Sequence, residues 1–436
     1  MTCVIHWFRD DLRLADNMAL STAAAQAHVS GKPLLPVYVQ DPAQAQATRW
    51  LPQRMGPHRQ AWLAGSLQAL DAELQARGSR LLVLIGSPAT VLPALASATQ
   101  ALTVHAEDCP APDEAAQAEL IAQAVQAWGC SLHLHGQSTL LPLTALPFAP
   151  ADLPDVFSTF RQLVEHAGTQ AREPWPSPHA LPPVPEQALP WLDLAVTAPT
   201  ATPDARSSFP FHQPACAPGE RSAQAHLAQY MARQLPHSYK ATRNGLSGLD
   251  FSSKFSPWLA TGALSAAQIM AALRAFEADH GVSDGSYWLW FELLWRDHFR
   301  LLHLKHGKAL YKAAGLSKLP EPSHNAAAFQ RWCDGQTGEP LVDAGMREMA
   351  ATGWLSNRMR QIVASYLIHD LACDWRAGAA WFEHCLIDFD VYSNQGNWLY
   401  VAGRGTDPRG GRRFNPDKQT REHDPDGTYR RLWGTA

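Results

Sequence analysis

The chain has 436 residues, 46% hydrophobic and 17% charged, which is enough for two or three domains with cores of their own. A formal charge of −4 excludes a polycation coated along its whole length by nucleic acid, but residues 1–230 carry 12 Lys/Arg against 19 Asp/Glu (−7) and the rest 24 against 21 (+3). A polyanion therefore finds its partner in the second half.

The first 140 residues alternate short apolar runs with longer Ala/Leu/Gln-rich stretches of helical spacing. The runs Cys3–Phe8, Leu34–Val39, Leu81–Ile85, Ala101–His105 and Ser131–His135 read as buried strands, and Gln60–Ala76 and Glu114–Trp128 as helices. This alternation predicts an α/β domain with a parallel, Rossmann-like sheet of five strands. No G-x-G-x-x-G or P-loop follows any strand, so the fold alone does not certify a nucleotide. The longest uncharged run, Leu81–Ala106, contains Pro88, Pro93 and Gln100 and reads as strand, loop, helix and strand, not as a membrane span. Charged Arg9, Asp10, Asp11 and Arg13 interrupt any apolar leader. The seven cysteines are odd in number and lack a C-x-x-C pair, which points to a reducing cytoplasm and no structural metal.

Twelve of the 33 prolines fall between Ala171 and Glu220, so residues 141–220 read as a linker. Beyond it the period turns helical, with segments Arg221–Gln234, Ser265–Ala278, Tyr287–His306, Gly345–Cys373 and Gly378–Ile387. Residues 221–436 thus read as an all-α domain, holding ten of the sixteen tryptophans.

Four segments of that domain carry chemistry. Tyr239-Lys240-Ala241-Thr242-Arg243-Asn244-Gly245, with Ser252-Ser253-Lys254-Phe255-Ser256 after it, offers clustered hydroxyls and backbone N–H groups to a diphosphate, or else an ordinary helix cap and turn. In Tyr287–Phe299, Glu292, Trp295, Arg296 and Phe299 share a helix face. A carboxyl there, among aromatic rings, is expected to have a raised pKa and to donate a hydrogen bond; an intrahelical Glu292–Arg296 ion pair fits equally. Asn357, Arg360 and Gln361 share another face, with Arg358 turned away. Asp388, Asp390, Asn394 and Trp398 place polar groups in an apolar wall.

Together with the opening Trp7-Phe8-Arg9-Asp10-Asp11-Leu12-Arg13, these segments resemble the photolyase and cryptochrome family. Leu153-Pro154-Asp155-Val156-Phe157-Ser158-Thr159-Phe160-Arg161 and Tyr392-Ser393-Asn394-Gln395-Gly396-Asn397-Trp398 are similar to its DASH branch. The resemblance implies an α/β antenna domain (1–140) and a helical FAD-binding catalytic domain (221–436). It implies that Tyr239, Ser252, Ser253, Lys254, Phe255 and Ser256 hold the FAD diphosphate and its surroundings, that Glu292 faces adenine and substrate, and that Arg296, Asn357, Arg360, Asp388, Asp390 and Asn394 complete the cofactor site. Asn394 falls beside flavin N5, and Arg360 pairs with Asp388.

The implied reaction is blue-light-driven splitting of cyclobutane pyrimidine dimers. Trp295 stacks on the dimer, Glu292 stabilises its radical anion, and Glu292, Trp295, Asn357 and Asn394 count as catalytic. Arg358, Gln361, Tyr400 and Gln419 match DNA-contacting positions, backed by a basic cluster of Arg404, Arg409, Arg412, Arg413 and Lys418. Gln361 and Tyr400 stand where the duplex-repairing photolyases carry Met and Trp, so the weaker stacking predicts a preference for single strands. Trp398 and Trp375 match the inner members of an electron-transfer chain. The outer position reads Glu321-Pro322-Ser323, so either Tyr311, Trp288 or Trp354 completes a rerouted path or photoreduction is slow. Methenyltetrahydrofolate is the implied antenna, with Glu114 as its carboxylate and Glu107 second, although acidic residues opening a helix are also ordinary. The implied protein is a cytoplasmic monomer that acts on DNA. A photoreceptor that binds DNA or a partner without repairing it is the rival reading.

Overall fold

The computed structural model describes residues 2–186, 188 and 201–434. Five parallel strands, β1 (Val4–Phe8), β2 (Leu34–Gln40), β3 (Leu82–Ile85), β4 (Thr103–Glu107) and β5 (Ser131–His135), form one sheet in the order β3-β2-β1-β4-β5. Central β1 is buried at every residue and pairs Val4 with Leu34 on one side and with Thr103 on the other. Such a two-sided strand must read as a continuous apolar run, which is why the sequence betrays it. The expected strand–loop–helix–strand over Leu81–Ala106 is β3, the Pro88–Ala98 helix and β4.

The second half is helical. The longest helix, Asp284–His306, opens on a reciprocal capping box between Ser283 and Ser286. Gly345–Cys373 is not one helix, as its periodicity suggested, but two, Pro340–Thr352 and Asn357–His369. Gly353 takes φ +68° and ends the first, and the Ser356 side chain caps the second through the Met359 N–H. Within residues 141–220 the chain forms a ten-residue helix, Phe157–His166, and buries Phe209 against Trp62 and Trp258. The Pro190 and Pro199 part of that segment lies outside the described residues.

The two halves are locked by buried polar contacts. Asp297, fully buried, accepts the N–H groups of Leu140 and Leu141, both at 2.8 Å. Burial pushes its pKa up to about 6 despite these donors. Glu220 accepts Leu14 and Ala15 N–H at 2.7 and 2.9 Å, and Gly262 lies so close to the Asp10 backbone that any Cβ would collide. All seven cysteines are buried and unbridged, and among the described residues no cluster suits a metal and no helix is long and apolar enough to cross a membrane.

Candidate active site

A cavity of about 500 Å³ is walled by the Tyr239–Arg243 and Ser252–Ser256 segments, the Asp284–His306 helix and the start of the Asn357–His369 helix. It continues into a narrower recess of about 100 Å³ between Arg360, Asp388, Asn394 and Trp398. The four segments, up to 160 residues apart in sequence, thus converge on one space.

Local structure explains the convergence. Ser252 and Lys254 both take positive φ (+64° and +58°), so this loop coils tightly. Lys254 is buried with Nζ 4.1 Å from the Trp354 ring. Burial pulls its pKa down to about 7, against the opposing pull of Glu348. Tyr239 is buried and Ser256 opens the short Ser256–Thr261 helix.

On the long helix, Glu292, Trp295, Arg296 and Phe299 all border the cavity, one face as their spacing requires. The intrahelical Glu292–Arg296 pair does not form. Glu292 pairs with Arg243, whose guanidinium lies 4.5 Å over the Trp288 ring, while Arg296 donates to the Ser138 carbonyl at 2.7 Å. Trp295 stacks on Phe157 with centroids 3.7 Å apart and planes 10° apart.

The opposite wall holds a buried charge pair. Arg360 Nη2 donates to both oxygens of Asp388 at 2.9 and 2.8 Å, and its Nε to the Leu355 carbonyl at 2.9 Å. Asp390 caps the Val391–Ala402 helix through the Ser393 N–H at 2.7 Å. Burial acts to raise its pKa, but Arg300, Arg296 and the Ser393 N–H outweigh burial and hold it low. Asn394 donates to the Ala379 carbonyl at 3.1 Å and borders both the recess and a separate cleft of about 340 Å³ between the two halves. That cleft is lined by Glu114, Lys308, Tyr311 and Trp375.

The family profile described as DNA photolyase matches residues 4–182, and the FAD binding domain of DNA photolyase matches 288–435. The chain is 42% identical to the Cryptochrome DASH of Idiomarina loihiensis, over 98% of this chain and 91% of that protein. The chain belongs to the DNA photolyase and cryptochrome family. Its fold superposes on the Synechocystis sp. cryptochrome with a TM-score of 0.92, at 40% identity, covering 99% of this chain and 88% of that one. A class III photolyase from Agrobacterium tumefaciens gives 0.79 at 29% identity, covering 99% and 86%.

The FAD-binding domain of this family needs donors for a diphosphate and polar edges for a flavin, and the residues present fit. Besides the coiled Ser252–Lys254 loop, the recess is bordered by Gln361 and Trp398, whose buried Oε1 and Nε1 have no hydrogen-bond partner among the described residues. A ligand with polar edges would satisfy atoms that are otherwise costly to leave orphaned.

Other expected residues lie elsewhere or are differently engaged. Arg358 faces away, donating to Asn244 at 2.9 Å; Tyr400 borders the cavity under Arg412. Gln419 is buried and does not border the cavity. Of the basic cluster, Arg404 is buried against the Pro320 carbonyl, and Arg412 and Arg413 are paired with Asp407 and Asp370. Glu107 is sealed beside Arg300 at 3.9 Å, outside the interdomain cleft that Glu114 borders. Among the proposed outer tryptophan substitutes, Trp288 and Trp354 sit at the main cavity, and Tyr311 shares the cleft with Trp375.

Sequence reasoning passed over Arg243 and Phe157 and assigned Trp332 to a place apart from the tryptophan chain. Arg243 and Phe157 lay inside quoted motifs, but their partners are distant in sequence. Trp332, fully buried, meets Trp398 edge-on at 6.5 Å and is not set apart from it.

Proposed function

We propose that the chain holds FAD along this cavity and repairs cyclobutane pyrimidine dimers under blue light, preferentially in single-stranded DNA. The observation that carries the reading is the convergence of Glu292, Trp295, Asn357, Gln361 and Tyr400 on one cavity that runs into the Arg360–Asp388 recess. Ser252, Ser253, Lys254, Phe255 and Ser256, with Tyr239, hold the diphosphate end, while Asn357, Arg360, Asp388, Asp390 and Asn394 hold the flavin end. FAD held by these residues would supply, when reduced and photoexcited, the electron that opens the dimer ring and that returns to the cofactor afterwards, with no net redox change.

The residues position and polarise. Trp295, backed by Phe157, is a rigid plane against which the dimer stacks, and its fixed orientation spares the entropy of ordering it on binding. Glu292, steered by Arg243, supplies a polar contact to a dimer carbonyl as negative charge develops there. Gln361 and Tyr400 give less apolar stacking than Met and Trp would, so the pocket compensates poorly for unpairing a duplex. Arg358 and the exposed Arg409 contact phosphates.

The cleft bordered by Glu114 takes methenyltetrahydrofolate as antenna. Burial raises the Glu114 pKa, which favours a carboxyl able to share a proton with a pterin edge. Asn394 borders both spaces, so the two chromophores lie a short path apart. Expected absorption is an oxidised-flavin band near about 450 nm, with a second near about 380 nm if the antenna is retained.

The deciding experiment compares repair of one defined dimer in a single strand and in a fully paired duplex under blue light. Faster repair in the single strand supports the reading; equal rates overturn the strand preference, and no repair by flavin-loaded protein overturns the activity.

A further inference from the structure

Behind the aromatic wall of Trp295, Phe299 and Tyr400 lies a second cavity of about 530 Å³ whose interior the reaction above does not use. The Phe157–His166 helix forms one side and the Gly405–Arg409 loop the other. Its deep end is formed by Leu302, Leu310, Leu399 and His303. Both His303 ring nitrogens are engaged, one with the Phe299 carbonyl at 2.8 Å and one with the Tyr311 hydroxyl at 3.0 Å, so the deep end offers no free polar group.

The sides are aromatic. Phe157 stacks on Trp295 and meets Phe291 edge-on at 5.1 Å, which fixes these rings as one rigid aromatic wall, with Phe299 and Tyr400 also bordering the space. The mouth is different in character. Arg409 is 75% exposed and only loosely held by Asp407 at 3.6 Å. Arg161 donates through Nη1 to Glu165 and Tyr287, while its Nε and Nη2 make no hydrogen bond among the described residues.

An apolar aromatic slot with two guanidinium groups at its rim suits a flat ring that asks for no specific hydrogen bond and carries phosphate on its outer side. That is an unstacked nucleotide. Arg161 keeps Nε and Nη2 without a hydrogen bond among the described residues and Arg409 is only loosely paired, so both retain donors that an uncharged apolar molecule would not use. The slot shares Trp295 and Tyr400 with the main cavity, so the two spaces are one side chain apart, a separation that consecutive nucleotides of an unstacked strand bridge.

We propose that this second cavity receives the nucleobase flanking the dimer, stacked between its aromatic walls with the adjoining phosphates held by Arg161 and Arg409. The inference rests on the reading that the main cavity receives the dimer. It also deepens the strand preference: a flanking base in a duplex is paired and stacked, whereas in a single strand it enters freely.

The test uses flavin-loaded protein and short single strands with one central dimer, carrying either a normal base or an abasic site at the 5′ or the 3′ neighbour. Binding is read in the dark by fluorescence anisotropy, and repair under blue light is read in parallel. Loss of the base on one side is expected to weaken binding about tenfold, the scale of one base–aromatic stack. Two variants plug the slot from opposite walls, Ser158→Trp on the exposed first turn of the helix and Thr406→Trp on the loop. Each should erase the difference between base and abasic strands. Equal affinity for all strands with repair intact overturns this inference alone, as does an abasic penalty that persists in both plugged variants. Failure to prefer dimer-bearing over undamaged strands, together with absence of repair, overturns the main-cavity reading and this one with it.

Discussion

The indole of Trp398 packs directly on Gly378: a Cβ at that glycine would overlap Cη2 of the ring and also crowd Leu367 at 2.6 Å. Gly378 lies inside the Trp375–Cys385 helix, where glycine is otherwise unfavourable by about 1 kcal/mol against alanine. Its presence therefore serves the close approach of Trp398. Gly378→Ala is expected to lower stability by about 1–3 kcal/mol from overpacking, partly offset by the better helix former. A thermal melt reads the sum; an unchanged or raised midpoint would mean that the ring yields without cost.

This contact also orders the tryptophans. Trp375 begins the same helix one turn before Gly378, and its Nε1 donates to the Ala313 carbonyl at 3.1 Å. Its neighbour Arg376 lies 5.9 Å from the partly exposed Trp50 ring, which in turn meets His324 at 4.9 Å. Trp332 touches Trp398 more directly, but it is fully buried and spends its N–H on the Val363 carbonyl at 3.0 Å. Beyond Trp332 stand Phe329 and His324, which are harder to oxidise than an indole, whereas Trp375 leads through Arg376 toward Trp50. Trp375→Phe should suppress light-driven flavin reduction in the presence of an external thiol, and Trp332→Phe should leave its rate within twofold, on the order of 0.4 kcal/mol in barrier. The reverse ranking would assign the path to Trp332.

The sheet, its parallel order and the helical second half were legible because buried strands and amphipathic helices print their periods directly into the sequence. The converging motifs were legible because each keeps its candidate residues within a short stretch of sequence. What escaped was long-range: Glu292 prefers Arg243, 49 positions earlier, to Arg296 on its own helix, and Trp295 is backed by Phe157 from the segment read as linker. The break at Gly353–Ser356 escaped because apolar periodicity continues through it; only the Gly and Ser cap residues mark the stop.

Beneath the cofactor loop, Glu348 is fully buried, hydrogen-bonded by the Tyr429 hydroxyl, with Oε1 unpartnered among the described residues. Burial lifts its pKa to about 8, with Tyr429, Lys254 and Arg360 pulling the other way. Between pH 4.5 and 8 the folded state keeps a proton that the unfolded chain has released, so this residue makes stability fall as pH rises. Lys254, with its pKa near 7, has the opposite sign above neutrality, since there the unfolded chain binds the extra proton. Glu348→Gln keeps a neutral partner for Tyr429 and removes the carboxyl titration. Melts of the two proteins across pH 5 to 8 should diverge progressively, the variant gaining relative to wild type as pH rises. A constant difference would show that Glu348 ionises normally.

The Glu292–Arg243 pair separates positioning from chemistry in the proposed repair reaction. Both side chains are about a quarter to a third exposed (31% and 24%), so the attraction itself is screened and contributes little to stability. Its consequence lies in holding the Glu292 carboxyl group at the cavity wall beside Trp295. Glu292→Gln places an uncharged hydrogen-bonding group of the same shape there and should leave dark affinity for dimer-bearing strands nearly unchanged, while lowering the quantum yield of repair modestly. Glu292→Ala removes the contact and should reduce repair roughly ten- to a hundredfold, the worth of a hydrogen bond to a charged group. Arg243→Met leaves Glu292 in place but unsteered, and should fall between the two. If Ala and Gln repair equally well, the carboxyl group has no role in the reaction and Trp295 alone positions the substrate.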